Sequence, residues 1–352
     1  MKRINWIAVQ PTPYNKSLFD AIIESDLFDL KLYYSDREFL ELPFKEELKG
    51  PDDYFFNKIL GVDWYALFSL STTRDWVIVA GWNDLTKLLV ILIRGLLARK
   101  TAFWTDSLDV DLVLSNRPLF LFKKIISRNF KIFFTTGKMG IENIKQIGLI
   151  RDKTRLINLP YFIDIPSNYK SINIIHECLE IVMIARLISR KGIDIALRAI
   201  LELKKMEINV RLRIAGTGEL YDQSKKFIEE NSLESYIILL GWVDHEEVGN
   251  LLMSSNLLIH PVVEHDPYGV VVIEALSYGL PVIGSNLAGA VIDRIVDGSN
   301  GYAICANSMD LVQSMLKCIK LKDLTSMSIA ARQSSLDSHP IKGVQILLNE
   351  LY

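Results

Sequence analysis

The sequence has few cysteines, no apolar run of membrane length and no strong excess of one charge. Cys178, Cys305 and Cys318 are odd in number and follow no metal-ligand spacing, which argues against a disulfide scaffold and for a reducing compartment such as the cytoplasm. The most apolar window, Leu88 to Leu97, is interrupted by Arg94 and falls well short of the roughly 20 residues that span a bilayer. A net charge of -2 supplies no global basic field for nucleic acid.

Two features are missing from the first half of the chain. No Gly-x-Gly-x-x-Gly follows the first predicted strand, Ile4 to Val9, which disfavours a nicotinamide-dependent dehydrogenase. The first histidine is His176, so no histidine is available for chemistry in the first 170 residues. Any acid or base in that half must come from another residue type.

The near-neutral total conceals a charge asymmetry. Residues 87–155 hold fourteen Lys or Arg against five Asp or Glu. Within them, Arg117 to Lys131 interleaves cations with large apolar residues, which fits either a face that meets an anionic membrane or a core-packed helix with a solvated rim. We therefore expect residues 87–155 to favour peripheral contact with the inner face of the cell membrane.

The residues that are present indicate an α/β protein of two domains. Apolar residues make up 49% and charged residues 23% of the 352, close to an average globular chain. Short β-rich runs alternate with helical segments, break at a polar, proline-punctuated stretch over 160–178, and then resume. We expect one domain over 1–165, a second over 170–333, and a final helix near 335–352 that packs back on the first. The predicted strands are Ile4–Val9, Leu30–Tyr34, Trp76–Ala80, Thr101–Trp104, Lys131–Phe134, Thr154–Asn158, Glu180–Ala185, Arg211–Ala215, Tyr236–Leu240, Asn256–His260, Pro281–Gly284 and Gly301–Ile304.

The predicted strand Glu180 to Ala185 is followed by two cations and a glycine, Arg186, Lys191 and Gly192. Ligands of open α/β sheets bind at the carboxyl ends of strands. A guanidinium fork and a mobile ammonium suit a diphosphate, although a solvated basic turn has the same composition.

Two later turns are ambiguous by themselves. Gly216 and Gly218 open a helix after a strand, which fits a phosphate cradle but more often marks a tight turn. The loop from Gly241 to Asp244 has the same ambiguity.

The segment from His260 to Leu276 is more informative. Glu274 interrupts the apolar face of a helix that begins near Gly269, and a carboxylate on such a face is paired, hydrogen-bonded or functional. The free N–H groups of the helix start form an anion site. Asp266 lies eight residues before Glu274, and two carboxylates beside a phosphate are tolerable when they face sugar hydroxyls. A capping Asp with a salt-bridged Glu is the structural alternative.

These pieces, in this order and spacing, resemble the carboxyl-terminal domain of the family 4 retaining glycosyltransferases of the GT-B fold. The resemblance is good over about 180–305 and loose before that. The segments that carry it are Ala185-Arg186-Leu187, Lys191-Gly192, Gly216-Thr217-Gly218, Asp266-Pro267-Tyr268-Gly269, Glu274-Ala275, Tyr278-Gly279-Leu280-Pro281-Val282 and Gly289-Ala290-Val291-Ile292-Asp293.

The resemblance implies two Rossmann-like domains whose parallel sheets face a central cleft. It also implies metal-independent transfer of a sugar from a UDP- or GDP-sugar to a glycan or lipid-linked acceptor, as in bacterial surface-polysaccharide assembly. No cofactor is expected besides the nucleotide-sugar substrate. By analogy Arg186 and Lys191 hold the diphosphate, Glu274 the ribose and Asp266 the transferred sugar. The remaining donor contacts come from Gly216, Gly218, Trp242, Val243, Gly269, Val270 and Val271.

The sequence departs from the family's pattern in three places. The first of the family's paired glutamates is Asp266 here, one methylene shorter, and the loop before it is one residue longer, so Glu264 is a rival. The family's Gly-Gly-x-Pro-Glu stands as Gly289 to Asp293. The first domain lacks the histidine found in many relatives, and Asp106 falls near its expected place.

Other functions remain open at this level. Asp109 and Asp111 resemble the metal-binding triplet of transferases of the other main fold, but no third ligand accompanies them. A nucleotide-sugar enzyme of the same fold without transfer, such as an epimerase, or a degenerate non-catalytic subunit are the alternatives.

Overall fold

The computed structural model describes residues 2–36, 50 and 52–352, and the chain divides into two units. The first comprises Met1–Asp164 and His339–Tyr352, and the second comprises Ile165–Ser338. In the part of the chain that is described, no helix is both long and apolar enough to cross a membrane.

A seven-stranded parallel sheet forms the centre of the first unit, in the order β3-β2-β1-β4-β5-β6-β7. Every strand predicted there is present, with ends shifted by two residues at most. The two-residue edge strand Tyr54–Phe55 is additional, because it is too short for an alternation pattern to reveal. The strands are β1 (Lys2–Ala8), β2 (Phe28–Tyr34), β3 (Tyr54–Phe55), β4 (Trp76–Ala80), β5 (Thr101–Thr105), β6 (Ile132–Thr135) and β7 (Arg155–Asn158).

Helices cover both faces of this sheet, as the burial of its strands requires. The final helix packs on the first: Val344, Leu347 and Leu351 share a buried cluster with Trp6 and Leu18. The helices are α1 (Pro13–Glu24), α2 (Trp64–Thr72), α3 (Leu85–Leu96), α4 (Val110–Ser115), α5 (Arg117–Ser127), α6 (Gly137–Ile147) and, at the end of the chain, α14 (Pro340–Leu351).

The second unit is built around a six-stranded parallel sheet in the order β10-β9-β8-β11-β12-β13. Its strands are β8 (Leu179–Ile184), β9 (Val210–Ala215), β10 (Ile237–Gly241), β11 (Leu257–His260), β12 (Val282–Ser285) and β13 (Gly301–Ile304). Its helices are α7 (Ile193–Lys205), α8 (Tyr221–Glu230), α9 (His245–Met253), α10 (Val270–Ser277), α11 (Gly289–Arg294), α12 (Ser308–Leu321) and α13 (Thr325–Ser335). Two parallel α/β sheets confirm the predicted fold class.

The strand order places a topological switch between β8 and β11. From β8 the chain builds outward through β9 and β10, then returns to the other side of β8 with β11. Because all these strands are parallel, the loops that follow β8, β9 and β11 emerge at one edge of the sheet. Open α/β sheets bind their ligands at this edge, in the crevice beside the switch point.

Two cations of the basic segment lie inside the first unit. The Lys87 ammonium donates to the Ala80 carbonyl at 2.7 Å, and burial lowers the pKa of Lys87 to about 8. The Arg94 side chain is fully buried, and burial foremost lowers its pKa to about 10. These two charges therefore do not contribute to the external basic field that the sequence suggested for residues 87–155.

Candidate active site

The turn after β8 is a single turn of 3-10 helix, Ser189–Lys191, that ends at Gly192. Gly192 has φ +70°, and a Cβ there would stand 1.9 Å from the Pro261 carbonyl oxygen. Only glycine fits, because the chain at Gly192 is pressed against the loop that follows β11. A hydrogen bond from the Val263 N–H to the Arg190 carbonyl at 3.1 Å joins the same two loops.

Lys191, Asp266 and His260 form a compact polar network between these loops. Lys191 Nζ lies 2.6 Å from Asp266 Oδ2, and His260 Nε2 lies 3.0 Å from the same oxygen. The side chains of Lys191, Asp266 and His260 are 13%, 8% and 3% exposed. Burial alone would raise the pKa of Asp266, but the hydrogen bond from His260 and the Lys191 charge outweigh burial and hold that pKa well below its usual range. Asp266 is therefore an ionised, paired carboxylate.

Sequence reasoning did not identify His260 as part of the site. The residue ends the buried strand β11, Leu257–His260, whose other residues are apolar. The sequence does contain a signal for His260. A histidine at the carboxyl end of a buried parallel strand needs a polar partner for its ring, which indicates a polar network at that point. The partner is the carboxylate six residues later.

Helix α10 begins beside this network. Its N-cap, Gly269, has φ +83°, and a Cβ there would stand 3.0 Å from His260 Nε2. On the other side, Asp266 N–H donates to the Leu287 carbonyl at 2.9 Å and Gly289 N–H donates to the Asp266 carbonyl at 3.2 Å. The positive end of α10, with Val270 and Val271 in its first turn, thus begins beside the His260 ring, which contacts the carboxylate that pairs with Lys191.

Gly216 and Gly218 have a packing role in the structure. A Cβ on Gly216 would stand 2.0 Å from the Ala185 carbonyl oxygen, and one on Gly218 would stand 2.4 Å from that of Leu187. The Gly216 N–H donates to the Gly241 carbonyl at 2.7 Å, so this amide serves the fold. The two glycines bring the loop after β9 against the loop that carries Arg186.

The other residues predicted for the donor lie at or near the same edge of the sheet. Arg186 is exposed directly after β8, and within the described residues no acid pairs with it. Trp242 is 72% exposed after β10, beside the half-buried Val243, and its indole N–H donates to Asp244 Oδ1 at 3.2 Å. Glu274 is half-buried in α10.

The two rival carboxylates of the loop after β11 have different surroundings. Glu264 is exposed, whereas Asp266 is buried and bonded to Lys191 and His260. The network is therefore built on Asp266.

Asp106 belongs to the first unit. It follows β5 and accepts a hydrogen bond from the Tyr161 hydroxyl at 2.7 Å. Burial foremost, and then Asp106, raise the pKa of Tyr161. Asp109 caps α4, accepting from the Leu112 N–H at 2.9 Å. Across the described ranges, no three His, Cys, Asp or Glu side chains are grouped as metal ligands.

Comparison with known proteins finds a family model that matches the second unit, where this site lies. Residues 164–334 match the family described as Glycosyl transferases group 1. The poly(glycerol-phosphate) alpha-glucosyltransferase of Bacillus subtilis is 27% identical over 186 residues, which are 52% of this chain and 27% of that protein. The putative colanic acid biosynthesis glycosyltransferase WcaL of Escherichia coli is 26% identical over 161 residues, 44% of this chain and 39% of that protein. The chain thus spans less than half the length of these curated relatives.

Solved structures match the whole chain. HepE of Anabaena, solved with UDP, superposes with a TM-score of 0.76 at 17% identity and covers 100% of this chain and 99% of its own. The pneumococcal O-GlcNAc transferase GtfA, solved with UDP and GlcNAc, gives 0.77 at 11% identity, with 99% and 98% covered. At such identities the likeness concerns the fold, which is GT-B.

Proposed function

We propose that this protein transfers a sugar, with retention of configuration, from a UDP- or GDP-sugar to a glycan or lipid-linked acceptor in cell-surface polysaccharide assembly. The match of residues 164–334 to the group 1 glycosyl transferases supports this proposal. The observation that carries the proposal is the position of Lys191, Arg186 and the amino end of α10, which all follow strands at the switch-point edge of the second sheet. These groups present positive charge where a diphosphate would lie.

The proposed reaction needs no protein nucleophile. The bond between the anomeric carbon and the diphosphate oxygen breaks, and the acceptor oxygen forms the new bond on the same face. The departing phosphate oxygen takes the acceptor's hydroxyl proton. Charge that develops on the diphosphate is stabilised by Arg186, Lys191 and the N–H groups of α10, which supports metal-independent transfer.

The nucleoside would lie on the residues that flank this diphosphate site. The exposed indole of Trp242 offers a face for the base, and Glu274 offers a carboxylate for the ribose hydroxyls. We give UDP-sugars priority over GDP-sugars because HepE and GtfA were both solved with UDP.

A panel of UDP- and GDP-sugars tests donor binding directly. We expect one donor to raise the melting temperature, since a ligand that binds only the native state stabilises it by about 2.7 kcal/mol at a hundred times its Kd. Product analysis with that donor then separates transfer from epimerisation. Absence of a shift with every donor contradicts the enzyme proposal and favours a non-catalytic subunit.

Replacing Glu274 by alanine is expected to weaken donor binding by about tenfold to a hundredfold, because a charge-assisted hydrogen bond to a hydroxyl is worth about 1.5–3 kcal/mol. The measurement is the KM for the donor, with circular dichroism to confirm folding. Glu229→Ala, an exposed glutamate on α8, is the matched control and should keep the wild-type KM. An unchanged KM in Glu274→Ala would remove Glu274 from the site.

We also propose that the first unit meets an anionic membrane. Six cations and no acid lie within residues 112–141. On α4 and α5 the large exposed apolar residues are Leu112, Leu114, Leu119, Leu121, Phe122 and Ile125. An apolar face bordered by cations is the pattern of a helix that lies in the headgroup region of a bilayer. Such a surface would bring the protein to a lipid-linked acceptor.

Ile125→Glu is expected to reduce sedimentation with vesicles of phosphatidylglycerol at least fivefold, because it places a charge on the apolar face. Ile329→Glu on α13 is the control, since Ile125 and Ile329 are both 56% exposed. Wild-type binding to pure phosphatidylcholine should be weak. Equal sedimentation of the two variants would exclude this face as the contact.

A further inference from the structure

The Asp266 carboxylate is directed into its own unit. Asp266 Oδ2 receives both the Lys191 ammonium and His260 Nε2, and the side chain is 8% exposed. We propose that Asp266 is a positioning residue that acts on the donor diphosphate through Lys191 and does not contact the transferred sugar. This inference rests on the function proposed above and changes the role that the family resemblance assigns to Asp266.

The backbone around Asp266 is fixed from both sides. Its N–H donates to the Leu287 carbonyl and its carbonyl accepts from Gly289 N–H, so the residue is tied to the loop after β12. From this anchored position the short aspartate side chain reaches Lys191 and His260. The glutamate of the family's pattern is one methylene longer, so its carboxylate would extend further from the backbone than that of Asp266 does.

Lys191 gains a defined position from this contact. A lysine ammonium has three donors on a flexible four-carbon stem, and its freedom is lost when it binds an anion. Asp266 takes one donor and fixes the stem, and two donors remain for a diphosphate. The carboxylate thus prepares the cation before the donor arrives.

His260 supports Lys191 indirectly, because it contacts the Asp266 carboxylate that holds the lysine. Its ring is buried between Asp266 and the backbone of Gly269, where α10 begins. The imidazole therefore fixes both the Asp266 carboxylate and the start of the helix. Lys191 and the amino end of α10, the two positive features of the site, share this support.

The decisive experiment compares a nucleoside diphosphate with its sugar conjugate. Binding of UDP and of UDP-glucose, with GDP and GDP-mannose as the second pair, is measured by calorimetry for wild type, Asp266→Asn, Lys191→Met and the double variant. We expect Asp266→Asn to weaken diphosphate and sugar nucleotide by the same factor, about tenfold. When Lys191→Met is already present, adding Asp266→Asn should change the affinity for the diphosphate and the affinity for the sugar nucleotide by no more than twofold each. The reason is that Asp266 acts on both ligands through the lysine.

Three results overturn the inference. They are a loss confined to the sugar nucleotide, an undiminished effect in the Lys191→Met background, and tighter diphosphate binding by Asp266→Asn. If wild type binds neither pair, the proposed function fails. The ion pair is then tested without ligand, by comparing the melting temperatures of the single variants and the double variant. Losses that are not additive support the ion pair, and additive losses contradict it.

His260 is tested by two substitutions with different hydrogen-bonding ability. His260→Gln keeps a donor near the position of Nε2 and should recover at least half of the diphosphate affinity that His260→Ala loses. A purely structural role would leave KM for the donor unchanged in whatever protein remains folded. His176→Gln, an exposed histidine of the same unit, is the control and should match wild type. Equal KM in His260→Ala and wild type overturns the role of His260.

Discussion

Replacing Arg186 by glutamine is expected to lower kcat/KM for sugar transfer about 10²- to 10³-fold, the usual cost of removing one preorganised group that stabilises developing charge. Arg186 follows β8 at the edge where Lys191 and the start of α10 lie, and its guanidinium is exposed. The fork of donors matches two phosphate oxygens, a geometry that glutamine does not reproduce.

The fold should be unaffected by this change. Because no acid of the described residues pairs with Arg186, Arg186→Gln should keep the melting temperature of the wild type. Arg198→Gln, an exposed arginine on α7, is the control for loss of one positive charge and should keep full kcat/KM. Transfer within threefold of wild type in Arg186→Gln would show that the diphosphate is bound elsewhere.

Replacing Arg94 by methionine is expected to lower the free energy of unfolding of the first unit by about 3–5 kcal/mol, the range found when a buried charge network loses one partner. The guanidinium donates to the carbonyls of Leu70, Thr73, Asp75 and Lys100 and to the Thr101 hydroxyl. Methionine cannot donate to any of these groups. The Lys100 carbonyl keeps the Val77 N–H, but the other carbonyls lose the guanidinium donor, and a buried unsatisfied polar group costs about 1–3 kcal/mol.

Thermal unfolding followed by circular dichroism measures this effect, and a fall of roughly 10 °C corresponds to that loss in a unit of this size. The control is Arg151→Met, an exposed arginine of the same unit, whose melting temperature should stay near that of the wild type. A fall of less than 2 °C in Arg94→Met would mean that water replaces the guanidinium.

The fold was largely readable from the sequence because its strands are buried on both faces. Trp76–Ala80 and Gly301–Ile304 have the predicted bounds, since each is a short β-rich run between turns. Tyr54–Phe55 was missed because two residues carry no period. The number and direction of the strands followed from the alternation with helices, which requires parallel pairing.

The site could be predicted only in part from the sequence, because the spacing of residues along the chain does not show which side chains come into contact. Lys191 and Asp266 are 75 residues apart and were assigned to different parts of the donor, yet they form one ion pair. The charge count of residues 87–155 predicts an external basic field that includes Lys87 and Arg94, whereas both side chains are buried. Contacts of this kind form where loops from distant parts of the chain meet at a sheet edge. A local sequence pattern therefore does not predict them.

The final helix α14 also bears on how the protein is made. The Trp76 indole N–H donates to the Leu351 carbonyl across 275 residues, and Val344, Leu347 and Leu351 complete the core around Trp6. On the ribosome the second unit, Ile165–Ser338, is therefore fully synthesised before the first can close its core. The first unit thus completes its core only after the second unit has been synthesised, and until then its apolar surface is open to chaperones or to wrong partners.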